Sequence, residues 1–524
     1  MKSKFILILM FIAVFASACS SNNGKALLVG TGNNETFTET FRYFWIQNVN
    51  GIQSYINRGL IKLDPDMKNV HPALAESYDV SNDGLTYTFT LHDGLKWHDG
   101  KELTAEDVKW SMETAIKVEM VVDSEFGLNA IKGYESFKTG KAGELEGVVY
   151  NGRTITIKLG DLNVAFLQKI AAFEILPKHI LEDANLAKFQ QDPYWLHPIG
   201  NGPYKIKEVR FGEYALLEAF EGFVGPQPKI KEVIYQQIPK SQIFPKIQAG
   251  ELDYIGGLKS SVESVEEIDA LPDYKAFVVP QIFNKFFTVN LKGSKRVQDI
   301  KVRQAFIHAL DRKAIINETL EGKAQIMNSL IPPEFEEHNS SIKTYDYNPE
   351  RTKQLLKEAG FDFNKPITIA YYSDDQASVD LLNTVAYYLG EVGVQTEIKL
   401  LTGDLLQLIY YAPEYDFLLA AYSGADPFGV LESVSGNSLM YKTIWEGFEG
   451  IETELQQLRK TLHMDERVAL IKKIDRIHSE RLYQLPLFHE NVYNIVNVSR
   501  LKTAGIYGNE WYNYEKKLEE WELK

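Results

Sequence analysis

The chain has 524 residues, 44% of them hydrophobic and 12% aromatic, and its 71 acidic side chains outnumber 56 basic ones for a formal net charge of −15. That length exceeds the roughly 250 to 300 residues at which one hydrophobic core stops growing, so at least two lobes are expected. The acid excess, with no basic stripe to neutralise phosphate, argues against nucleic acid or anionic lipid as the partner, and a single cysteine cannot form an internal disulfide.

Residues 1–18 carry Lys2 and Lys4 and then an apolar run over residues 5–15. At about eleven residues the run is too short to span a bilayer, which needs about twenty, and it reads as an export signal. The small residues Ala16, Ser17 and Ala18 directly precede Cys19, an arrangement that resembles a lipoprotein cleavage box with Cys19 as the lipidated residue. Ala16 stands where leucine is usual, so an ordinary signal-peptidase cut near Ala18 is the alternative. Residues 20–25, SSNNGK, are small and polar and suit a flexible tether.

Residues 27–53 read as a strand and turn, and residues 55–63 form a further segment ending at Asp64-Pro65. Leu85, Tyr87, Phe89 and Leu91 then alternate with threonines, the period of a half-buried strand. Asp93-Gly94 and Asp99-Gly100 supply tight turns on either side of Leu95, Lys96 and Trp97, so a hairpin with a short return strand is expected. Thr104, three residues before Asp107, caps a helix whose inward face carries Val108, Met112 and Ala115 or Ile116. Short strands recur around Asn151-Gly152, Leu176-Pro177 opens a short helix, and residues 204–220 alternate again. Residues 239–252 read as a helix with Ile243, Ile247 and Ala249 inward, and residues 283–291, FNKFFTVNL, as a strand.

Residues 299–485 have a regular mixed α/β pattern. Asn348 with Pro349 caps a helix that Gly360 ends. Strands are expected at 367–372, 394–400 and 417–421, helices at 378–389 and 465–482, and one more strand at 485–498. The strand at 417–421 runs into Tyr422-Ser423-Gly424-Ala425-Asp426-Pro427. In open α/β sheets the loops outside the carboxyl ends of strands line the ligand crevice, which makes that loop the first candidate site.

Residues 83–115, DGLTYTFTLHDGLKWHDGKELTAEDVKWSMETA, resemble the "LR.GVKFHDG..FTAEDVVFS" region of the family 5 extracellular solute-binding proteins, which deliver peptides, nickel and some sugars to ABC importers. HPIGNGPYKI at 197–206 is similar to that family's "PIGTGPY", with Asn201 in place of threonine, and DIKVRQAFIHALDRKAI at 299–315 is similar to "VRQAISYAIDR". Weaker likenesses lie at 130–148 and 348–361. The resemblance implies an α/β, periplasmic-binding-protein-like fold (type II, cluster C) with two lobes, an extra subdomain and a cleft between the lobes. Lobe I would be built from 27–51, 193–280 and 490–524, the subdomain from 52–192 and lobe II from 281–489. It further implies a monomeric, extracytoplasmic receptor, lipid-anchored to a bacterial membrane. Such a receptor hands a peptide or other small solute to the transmembrane subunits of an ABC permease and their ATPases, and no cofactor is implied.

Catalytic signatures are missing: there is no Gly-x-Ser-x-Gly elbow, no His-Glu-x-x-His and no phosphate loop ending in Gly-Lys-Ser/Thr. Gly30 to Glu35 begins like a dinucleotide fingerprint but places Glu35 where the last glycine belongs. Ten histidines lie scattered without close ligand spacing, so no metal site is read, although ligands converging from distant segments keep nickel or another chelated solute as an alternative cargo. An envelope peptidase on the same scaffold is the rival from another class. Binding suits a chain with 28 Tyr, 28 Phe and 7 Trp, since a solute cleft wants aromatic walls and a few fixed polar groups.

The resemblance also bears on the cargo. In peptide-binding members an aspartate four residues before a proline pairs with the peptide's α-ammonium; here that position is Ser423, and Asp426 next to the proline supplies a charge only in a displaced loop. Nickel-binding relatives that use a histidine after the proline would need it at Phe428. Peptide stays first because residues 130–148 resemble peptide binders more. The candidate ligand-binding residues are Phe286, Phe287, Asn290, Tyr422, Ser423, Asp426 and Phe428, with no catalytic residue.

Overall fold

The computed structural model describes residues 25–31, 41, 52–65, 69–118, 126–259, 265–279, 282–320, 322–373, 375–424, 427–434, 438–445, 450–461, 463–508, 510 and 514–524; the leader, Cys19, most of the tether, and Asp426 lie outside them. Strand β1 (Ala26–Thr31) is followed by a short antiparallel pair, β2 (Ile61–Leu63) and β3 (Val70–Pro72). A four-stranded sheet comes next, from β4 (Ala75–Val80), β5 (Thr86–Leu91), β6 (Val148–Asn151) and β7 (Thr154–Lys158), in the order β4-β5-β7-β6. The alternation in β5 buries Tyr87, Phe89 and Leu91 as expected.

Its partner differs from the expectation. Residues 95–97 do not return along β5; they form only a turn closed by a single bridge between Lys96 and Glu102. The place beside β5 is taken by β7, which sets Ile157 opposite Tyr87 and Ile155 opposite Phe89, a longer apolar ladder than three residues could offer. The helix Ala105–Lys117 begins with the reciprocal cap: Thr104 N–H donates to Asp107 Oδ2 at 2.8 Å, and Val108, Met112, Ala115 and Ile116 are buried.

Strands β8 (Tyr204–Arg210), β9 (Tyr214–Ala219), β10 (Glu232–Gln237), β11 (Tyr254–Lys259) and β12 (Tyr274–Val279) build outward from β1. The helix Lys240–Gln248 buries Ile243 and Ile247, but Ala249 lies one residue past its end and is exposed. A separate six-stranded sheet holds β13 (Ile282–Val289), β14 (Ala324–Ile326), β15 (Ile367–Tyr371), β16 (Thr396–Leu400), β17 (Phe417–Gly424) and β18 (Gln484–Glu490), in the order β14-β18-β13-β17-β15-β16. The single strand expected at 485–498 is two: β18 ends at Glu490, and β19 (Val492–Asn497) inserts between β11 and β12 of the first sheet, completing the order β12-β19-β11-β1-β10-β9-β8. A small pair, β20 (Leu501–Lys502) and β21 (Glu522–Leu523), follows. Apart from Ala165, the buried core of the six-stranded sheet comes wholly from residues between Ile282 and Phe488.

The two sequence motifs at 98 and 197–206 meet. His98 N–H donates to Gly200 O at 2.9 Å, and the imidazole Nδ1 accepts from Gly200 N–H at 2.9 Å. That leaves the proton on Nε2 to donate to Gly202 O at 3.2 Å. Asn201 and Gly202 both donate their amides to Ile56 O, at 3.0 and 2.8 Å, and a Cβ added to Gly200 would stand 1.9 Å from that oxygen, so only glycine fits. These contacts tie His98 and Ile56 to the turn that leads into β8.

Burial pushes the pKa of His98 down to about 4, of His478 to about 4 and of His489 to about 3. All three lie below the value of a free imidazole, about 6.5, so between those limits the unfolded chain binds more protons than the folded one. Asp475, pushed up to about 6 by burial, works in the opposite sense, as do Asp253 and Glu519, whose carboxyls burial also raises, while the lowered carboxyls of Asp99 and Asp375 act with the imidazoles. The unfolding temperature is therefore expected to fall steadily from pH 6.5 to pH 4 in a calorimetric pH series; a flat profile over that window would show that these imidazoles are not held neutral.

Candidate functional site

Strand β15 runs parallel to both β16 and β17, so their carboxyl ends lie on one side, while β13 runs antiparallel to β17 and β18 antiparallel to β13. The start of β13 and the end of β18 therefore share that side. There the chain also changes sheets, from β12 ending at Val279 to β13 starting at Ile282, and again from Glu490 to Val492. This is the crevice position of an open α/β sheet. Register sets Phe283 opposite Ser423, Asn284 opposite Tyr422 and His489, and Lys285 opposite Ala421 and Phe488.

Beneath this edge lies a buried polar layer. His489 Nδ1 donates to Asn284 Oδ1 at 2.7 Å, and Asn284 Nδ2 donates to Leu330 O at 2.7 Å. Leu330 N–H and Ser329 Oγ in turn donate to the two oxygens of Asp475, at 2.8 and 2.6 Å. Every member has a partner, so the layer fixes the tips of β13 and β18 as a rigid floor.

Above it the groups are sparser. Asp375 caps the helix Gln376–Glu391 and accepts from Ser378 N–H at 2.9 Å, Ser378 Oγ at 2.9 Å and Ser373 Oγ at 2.5 Å. Burial opposes its charge, but the bonds from Ser373 and Ser378, with the nearby charge of Lys285, hold its carboxyl below the usual carboxylate range. Tyr372, 38% exposed, has its phenol raised by burial, against a hydrogen bond from the Ala421 main chain. Lys285 is the one position of β13 that is not fully buried.

Of the residues selected from the sequence, Tyr422 and Ser423 stand at this edge, both partly exposed. The Tyr422 ring folds over Gly424 so closely that a Cβ there would lie 2.5 Å from it. Phe286 is buried in register between Ala420 and Pro486. Phe287 lies in the core, its ring edge-on to Phe306 at 5.7 Å, and Phe428 is also core, with the Arg467 guanidinium 5.8 Å from its ring centre. Asn290 sits at the far end of β13, where Nδ2 donates to Tyr415 O at 2.8 Å and Oδ1 accepts from Gly293 N–H at 2.9 Å. Asp426 lies outside the described residues. Lys285, Tyr372, Asp375 and Glu490 were not selected, although Lys285 is the only charge in FNKFFTVNL and so was visible. Among the described residues no group of three or more His, Cys, Asp or Glu is placed to hold a metal ion, and no helix is long and apolar enough to cross a membrane.

The sequence model for bacterial extracellular solute-binding proteins, family 5 Middle, matches residues 69–440. The chain belongs to family 5 of these proteins. It is 26% identical over 443 residues to the oligopeptide-binding protein AppA of Bacillus subtilis (strain 168), covering 78% of each chain. To the dipeptide-binding protein of Escherichia coli (strain K12) it is 26% identical over 464 residues, 83% of this chain and 84% of that one. The solved structure of lactococcal OppA complexed with an endogenous peptide in the closed conformation superposes with a TM-score of 0.79 at 20% identity, over 95% of this chain and 99% of the other. NikZ from Campylobacter jejuni in complex with Ni(L-His) gives 0.74 at 23% identity, over 95% and 99%. The fold is thus the mixed α/β, periplasmic-binding-protein-like one expected from the motifs, and the relatives are substrate-binding proteins of transporters rather than enzymes.

The side chain of Asn290 closes a buried turn, so Asn290→Ala leaves the Tyr415 carbonyl and the Gly293 amide without it. Urea unfolding is expected to show a loss of about 1 to 3 kcal/mol; an unchanged midpoint would mean that water replaces the amide at no cost.

Proposed function

We propose that this family 5 member captures oligopeptides or dipeptides outside the cytoplasm and delivers them to the transmembrane subunits of an ABC permease with its ATPases. The observation that carries the reading is the place where the chain twice changes sheets, with part-exposed Tyr422, Ser423, Lys285 and Tyr372 collected beside it. The peptide cargo draws support from the oligopeptide- and dipeptide-binding relatives. In this reading residues 281–489 form one lobe, residues 27–51, 193–280 and 490–524 the other, and residues 52–192 a subdomain on the latter. The protein works as a monomer, held to the outer face of a bacterial membrane by a lipid on Cys19, and Tyr422, Ser423 and Asp426 contribute to the ligand wall.

Capture is a population shift. A ligand that touches both lobes favours the closed arrangement in proportion to its extra affinity for it, and the permease then receives a solute that has not been altered.

Mass spectrometry of whatever copurifies, followed by thermal melting of the stripped protein with that compound, tests the cargo. A peptide is expected, and at a hundred times its Kd it should stabilise the folded state by about 2.7 kcal/mol. Stoichiometric nickel by elemental analysis, with no peptide recovered, would replace the peptide reading by a chelated-metal one.

A further inference from the structure

Every position of β13 except Lys285 is buried, and Lys285 reaches part-way into solvent at the edge where the sheets meet. In register it lies between Ala421 and Phe488, neither of which has a side-chain acceptor. Among the described residues its ammonium makes no hydrogen bond and no ion pair. Two carboxylates on neighbouring elements act on its charge, Asp375 at the start of the helix Gln376–Glu391 and Glu490 at the end of β18. Asp375 is already engaged by Ser373 and Ser378. Partial burial lowers the pKa of Lys285, while the charges of Glu490 and Asp375 oppose that shift.

A desolvated cation is costly until an acceptor reaches it. The acceptor that fits must be anionic and must enter from the crevice, because β17 and β18 flank Lys285 within the sheet. It must also carry little charge: a dianionic phosphate would be repelled by Asp375 and Glu490, whereas a singly charged carboxylate gains the lysine at smaller cost.

We propose that Lys285 is the anchoring residue for a carboxylate of the bound solute, supplied by the carboxyl terminus or by an acidic side chain of a peptide. This rests on the peptide reading above and narrows it, since a free carboxylate becomes a requirement for tight capture.

The test uses the full-length protein, stripped of ligand and exposed to a pepsin digest of serum albumin or to the same digest with its carboxylates converted to amides; retained peptides are eluted and sequenced by mass spectrometry. The wild type is expected to retain at least tenfold less of the amidated digest. Lys285→Met should retain at least tenfold less of the untreated digest than the wild type and should treat the two digests alike, while Lys285→Arg keeps the preference. Lys285→Gln replaces the Met variant if that fails to fold. Enrichment of Asp or Glu at one position of the retained peptides would assign the carboxylate to a side chain, and no enrichment would assign it to the terminus. Equal retention of both digests by the wild type, or a wild-type preference kept in the neutral variant, overturns the assignment of Lys285 and leaves the peptide reading standing. Retention of neither digest by the wild type overturns the peptide reading, and the Lys285 assignment with it.

Discussion

A two-stranded ribbon joins the two large sheets. Strands β12 and β19 are antiparallel neighbours in one sheet, with Val279 opposite Val492, and their continuations β13 and β18 are antiparallel neighbours in the other, with Asn284 opposite His489. Each sheet has strands on both sides of at least one ribbon member, so within the sheets the ribbon is held laterally. Among the described residues the chain passes between the two sheets at these two places, and a pair of strands twists more readily than a full sheet. The ligand site proposed here sits where these two strand pairs pass from one sheet to the other.

The polar groups near the ribbon divide into two kinds. Asn284, His489, Ser329 and Asp475 satisfy one another and the main chain inside the core, which keeps the strand tips rigid whatever the ribbon does. Lys285, Tyr372 and Ser423 lie at the accessible edge, and Lys285 lacks a contact partner among the described residues. A rigid floor beneath an accessible rim suits the proposed recognition, because a ligand can reach the rim without breaking the bonds that hold the floor.

Local structure was legible in the sequence wherever one short-range pattern decided it. The alternation of Tyr87, Phe89 and Leu91 made a strand, Thr104 with Asp107 made a helix cap, and Asn348 with Pro349 opened the helix Pro349–Glu358. Pairing was less legible, because β5 chose Ile155 and Ile157 more than sixty residues away over its nearest turn, and nothing local records that choice. Residues 485–498 read as one strand because both halves are apolar; the break at Asn491 follows from the two halves serving different sheets. At the site, aromatic type alone does not separate wall from core, since Phe287 and Phe428 lie in the core, whereas the single charge of Lys285 within an apolar strand is visible in the sequence. The histidine motif at 98 was recognisable as a family mark, but its role in bridging Gly200 and Gly202 required the fold.

The proposed capture requires the two sheets to move together around a solute. Small-angle X-ray scattering of the stripped protein, alone and saturated with the compound that copurifies with it, measures that movement directly. A smaller radius of gyration in the saturated sample, with no change in molecular mass, is the predicted result, and superimposable profiles with binding established independently would contradict it.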